Sequence, residues 1–254
     1  MPSFSPYLIY VLFLVLLAGL WWLSRRIGLL IQELVYLLTG SGDMAMVVLF
    51  LVYLPGILVH EAAHWLMAKL LGLKTQKFRV WPKKSRKYIG LGSVKVASGG
   101  PVRDSLVGMA PLLVGTALLV LIGERVFDAQ AVTFAWRTGN LLDGLLSVFA
   151  ALAEKPDGLW WGYILFAIAN AMTPSASDRE PLKSLALYVV IVGVLLVLLD
   201  QSGQGTLWLL NSLIQPMQVL TAAFFFAATI DVAIFALLTV LQMVVSTLAA
   251  PAAR

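Results

Sequence analysis

The run from Met217 to Leu248 carries one charged residue, Asp231, in thirty-two positions. As a helix rising about 1.5 Å per residue it would reach about 48 Å, well beyond the ~30 Å hydrocarbon core of a bilayer. Backbone amides inside lipid find no water, so a run of this kind folds as a helix that satisfies them internally. Comparable runs recur at 7–23, 44–70, 106–123, 159–173 and 182–199. Six spans are therefore expected, in an all-α polytopic membrane protein forming one domain over residues 1–254. The composition agrees. The chain is 60% hydrophobic and 12% charged, whereas a soluble domain carries about 25% charged residues.

Two shorter apolar pieces, 27–39 and 141–153, contain Glu33 and Asp143. They are expected as interfacial or re-entrant helices. The first span has no basic region ahead of it and ends on Trp21 and Trp22, a pair suited to a membrane interface. It reads as a retained span rather than a cleaved leader.

Charge sets the expected orientation. Lys74, Lys77, Arg79, Lys83, Lys84, Arg86, Lys87, Lys95 and Arg103 share one loop that contains no acid. Such a loop belongs on the cytoplasmic side. Six alternating spans then place both termini in the cytoplasm and Arg25 and Arg26 outside. The net charge of +5 follows from this bias and suits contact with anionic lipids rather than nucleic acid. Within the loop, YIGLGSVKV at 88–96 mixes β-branched residues with glycine between two prolines. That pattern predicts short strands after the second span. An open edge at Ile89, Gly90, Leu91, Gly92 and Ser93 would hold an extended substrate peptide by main-chain hydrogen bonds. A hairpin that pairs only with itself is the other reading.

The second span carries both histidines of the chain, in His60-Glu61-Ala62-Ala63-His64. Four residues on a helix turn about 40° and rise about 6 Å, so both imidazoles reach one metal ion. Glu61 projects on the same side, placed to act as general base without ligating. The chain has no cysteine, so a metal here is held by nitrogen and oxygen. Two imidazoles and one further ligand suit catalytic zinc, which lowers the pKa of a bound water toward ~7. Lys69 lies nine residues beyond His60, which puts the site about 13 Å below the cytoplasmic interface. Three acids compete for the third position. Asp231 lies midway along the last span, Asp157 sits in a KPDG turn, and Asp178 follows the fourth span, with Pro174 between them expected to end that helix.

HEAAH in an apolar span, the basic strand-like loop, GGP at 99–101 and the later Asn170…Pro174…Asp178 segment together resemble the site-2 protease family. The resemblance covers roughly residues 44–180. It implies an intramembrane zinc metalloprotease that cuts transmembrane protein substrates. Asn170 and Asp178 keep the family's separation of eight, although the proline falls four residues after the asparagine instead of three. Ser177 and Arg179 stand where the family has a small apolar residue and glycine. The chain is thus a divergent member by this resemblance. Asp178 becomes the third zinc ligand, and Asn170 a donor to the substrate carbonyl. A zinc carrier or sensor is the alternative. It would need no general base at Glu61.

Overall fold

The computed structural model describes residues 7–75, 83–84, 89–90, 96–126, 150, 153–172, 176–200 and 202–249. Among them are six helices of fourteen residues or more: α1 (Leu8–Thr39), α2 (Gly42–Leu70), α3 (Pro101–Val126), α4 (Gly158–Ala171), α5 (Ala176–Leu199) and α6 (Gln204–Ala249). The fold is all-α and membrane-like. Four helices, α1, α2, α3 and α6, are long and apolar enough to cross a bilayer. The apolar parts of the other two, Gly158–Ala171 and Ala186–Leu199, reach only about 21 Å each. Among the described residues the fourth and fifth expected spans are therefore not confirmed as crossings.

The expected break after residue 23 is not there. α1 continues from Leu8 to Thr39, so the 27–39 piece is its second half. Arg25 and Arg26 lie midway along it, exposed on its surface and not in a loop. Each guanidinium lies over the indole one turn earlier, Arg25 on Trp21 at 5.1 Å and Arg26 on Trp22 at 5.8 Å. The helix stops at Gly40, whose positive φ of 68° lets its N–H turn back to the Tyr36 carbonyl at 2.8 Å. Ser41 then caps α2, its hydroxyl accepting the Met44 N–H at 3.3 Å. Two residues thus fold α1 and α2 into an antiparallel pair.

α6 lies parallel to α1. Tyr10 donates to the Leu210 carbonyl at 2.5 Å, Phe13 stacks on Phe224, Trp22 meets Phe235, and Gln242 donates to Glu33 at 2.7 Å. The carboxyl end of α6 therefore lies beside the carboxyl end of α1, opposite the start of α1. Leu8 and Ala249 thus lie at opposite ends of this helix pair, and the expectation that both termini share one side is not confirmed. α5 begins beside the histidines, through Asp178, and ends five residues before α6 starts. Nearly every residue of α5 from Leu187 to Leu199 is exposed, an apolar surface suited to lipid.

The larger of two apolar clusters among the described residues is drawn from α1, α2, α3, α4 and α6, with Ile27, Leu119, Leu165 and Phe224 almost fully buried. α2 and α4 run parallel through it. Pro55 interrupts α2 and leaves the Leu51 carbonyl without its helical N–H. The Tyr163 hydroxyl of α4 donates to that oxygen at 3.2 Å. One turn further on, Gly56 lies so close to the Ala167 carbonyl that a Cβ there would overlap it. α3 returns along α2, with Val107 packed near Ala68.

The loop between α2 and α3 closes at its base, where Thr75 bridges Val96 and the Ala97 N–H bonds Lys74 O at 2.9 Å. Further out, β1 (Lys83–Lys84) pairs antiparallel with β2 (Ile89–Gly90), in the register Lys83 to Gly90 and Lys84 to Ile89. Leu91, Gly92, Ser93 and Pro174 lie outside the described residues, as does almost all of the 141–153 piece.

Candidate metal centre

His60 and His64 occupy successive turns of α2, one turn beyond the close approach at Gly56. Because α4 lies tight against that glycine, its last carbonyl, Ala171 O, reaches His60 Nδ1 at 2.6 Å. The Val107 carbonyl of α3 meets His64 Nδ1 at 2.8 Å. Carbonyl oxygens only accept, so both Nδ1 atoms must carry the hydrogen. In neutral imidazoles each Nε2 then presents a lone pair. The two Nε2 atoms face one another at 3.1 Å.

Asp178, in the first turn of α5, completes the group. Its Oδ2 lies 3.5 Å from His60 Nε2 and its Oδ1 lies 3.2 Å from His64 Nε2. The main chain at Asp178 is pressed against Gly108 of α3, where a Cβ would sit 3.0 Å from Asp178 O. Three acceptors thus converge, with their side chains each about a tenth exposed (11%, 10% and 10%). A proton on one Nε2 would answer one of these acceptors, whereas a cation among them would answer all three. One donor atom from each residue lies within 4.8 Å of the other two. Two imidazole nitrogens with a carboxylate oxygen are a donor set that zinc accepts, so the residues fit the ion.

Among the described residues, His60, His64 and Asp178 are the one group of this kind. Glu61 is buried next to His60 on the same helix, at 7% relative exposure.

The other candidate acids lie elsewhere. Asp157 stands at the far end of α4, where Trp161 Nε1 donates to it at 2.8 Å. Asp231 is fully buried in α6 and takes a hydrogen bond of 2.7 Å from Asn170 Nδ2. The same amide nitrogen donates to Phe166 O at 2.9 Å. Both N–H bonds of Asn170 are therefore engaged inside the bundle, and in this arrangement its amide has no hydrogen to offer a substrate carbonyl.

The two carbonyls that orient the histidines carry no sequence signature of their own, and the sequence reading passed over them. Such outer partners fix the tautomer and aim of ligating imidazoles. No protein-family model matches this chain, and neither a curated protein nor a solved structure does.

Proposed function

We propose that the chain is an intramembrane zinc metalloprotease, resembling the site-2 protease family, that hydrolyses peptide bonds in or near the transmembrane segments of membrane-protein substrates. The observation that carries this reading is the convergence of His60 Nε2, His64 Nε2 and the Asp178 carboxylate on one point, beside a buried acid that is not one of the three. When bound there, zinc supplies Lewis acidity and a water acidified toward neutral pH. Glu61 accepts the proton of the attacking water and returns it to the leaving amine nitrogen. His60 and His64 are held with Nδ1 protonated, and with each Nε2 lone pair given to the metal neither ring would compete with Glu61 for that proton.

A helical substrate has its amides engaged in internal hydrogen bonds and must unwind before attack. In this reading the strand segment containing Ile89 and Gly90 captures the unwound stretch by strand addition. One edge of that segment already pairs with Lys83 and Lys84, so the peptide joins the other edge. The basic loop faces the cytoplasm and anionic headgroups, which places the start of α1 in the cytoplasm and the end of α6 on the far side. The chain holds two histidines, both in this centre, so no further imidazole lines a path of the kind a zinc carrier would use.

The test is Glu61→Gln in purified protein, with a single-span peptide as substrate in the same bilayer. Zinc content stays at the wild-type level while cleavage disappears. Retained cleavage would overturn the reading.

A further inference from the structure

We infer that Pro111 is a positioning residue for His64, acting by leaving the Val107 carbonyl without its helical partner; this rests on the reading of the centre as a metal site. In an α-helix the N–H of residue 111 would close a bond to the carbonyl of residue 107. Proline has no N–H, and its ring crowds the carbonyl four residues back. Pro111 lies inside α3 with its side chain less than 2% exposed, a place where no solvent replaces the lost donor. The donor that Val107 O receives instead is His64 Nδ1, at 2.8 Å.

The same relation occurs in α2. There Pro55 frees the Leu51 carbonyl, and a neighbouring helix answers with the Tyr163 hydroxyl. In both helices a side chain from the next element fills the position that proline vacates. At Val107 the visitor is a metal-site histidine, so a feature of α3 backbone chemistry fixes a tautomer on α2. His60 has no such need. Its acceptor, Ala171 O, belongs to the last residue of α4, where helix termini leave carbonyls open to outside donors.

An N–H restored at position 111 competes for Val107 O. The carbonyl then shares two donors, the bond to Nδ1 lengthens, and the His64 ring is free to turn its lone pair away from Asp178. Outer partners of ligating histidines typically contribute about 10–100-fold in metal affinity.

The experiment compares zinc dissociation constants of full-length protein by competition with a chelator. Pro111→Ala, which adds the N–H, binds zinc about tenfold more weakly. An α-hydroxy acid at position 111, the ester analogue of alanine, lacks both the ring and the N–H and stays close to wild type. Equal weakening in both variants assigns the effect to packing of the ring and overturns the inference, as does wild-type affinity in Pro111→Ala. If the alanine variant does not fold, the ester variant decides, and a tenfold loss in it is contrary. A wild-type chain that takes up no zinc fails earlier, at the metal reading itself.

Discussion

Gly56 of α2 lies directly against the main-chain carbonyl of Ala167 in α4, one turn before His60 meets Ala171. The two contacts share a helix pair and a register, so the first sets the second. Any side chain at position 56 forces α4 outward and lengthens the bond that aims His60. Gly56→Val should cost about 1–3 kcal/mol by overpacking and should weaken zinc binding. Gly193→Ala, inside α5 with open space around it, should leave zinc binding unchanged and should not lower stability. Thermal unfolding with and without zinc reads the difference. Equal behaviour of the two variants would count against the Gly56 contact as the element that sets the site.

Asp178 and Asp231 differ in what they face, although both are buried. Asp178→Ala should abolish stoichiometric zinc, because it removes the one carboxylate among the described residues that lies within 4 Å of both Nε2 atoms. Asp231→Asn should keep zinc, since an amide oxygen still accepts from Asn170 Nδ2. Metal analysis of the purified variants separates them. Zinc lost from the second and kept by the first would transfer the ligand role to α6.

The histidine pair was legible in the sequence because it depends on helix period alone, and α2 is a helix throughout. Asp178 was not legible from its depth. Its place beside the histidines goes with the close contact between Gly108 and the Asp178 main chain, which no helix period encodes. Resemblance to a family pointed to it; spacing did not. α1 was divided wrongly because Trp21, Trp22, Arg25 and Arg26 look like a span's end. In the structure the guanidinium groups stack on the indoles one turn back, so the helix passes through them. The six-span alternation is not confirmed: four of the described helices are long and apolar enough to cross, and hydropathy reports lipid compatibility without saying whether a segment returns to the side it left.

Tyr163 and Pro55 should be coupled. Tyr163→Phe removes the donor to Leu51 O and should destabilise the protein by about 1 kcal/mol. In a Pro55→Ala background, where a main-chain N–H can take over, the same change should cost less. A double-mutant cycle on unfolding free energies checks it, and additive effects would mean the hydroxyl does not answer the proline.

Asp200 governs the turn from α5 to α6. It accepts from Ser202 Oγ at 2.9 Å, from Thr206 N at 2.7 Å and from Thr206 Oγ1 at 3.0 Å. The Thr206 N–H and then the Ser202 hydroxyl hold its carboxyl below the usual aspartate range. A carboxylate depressed in the folded state stabilises the turn above the unfolded pKa of about 3.9, and that contribution is lost as pH falls through the lower folded value. The Thr206 amide resonance should therefore titrate with a midpoint below about 3.9. A midpoint at or above the ordinary aspartate value would contradict the assignment.

His60, His64 and Asp178 should together hold one zinc ion, and X-ray absorption at the zinc edge of the purified chain reads this without any substrate. The expected result is one ion per chain, with a shell of nitrogen and oxygen at about 2.0–2.1 Å and the outer scattering of two imidazoles, reduced in His64→Ala. A chain that retains no zinc, or a shell without imidazole, would contradict it.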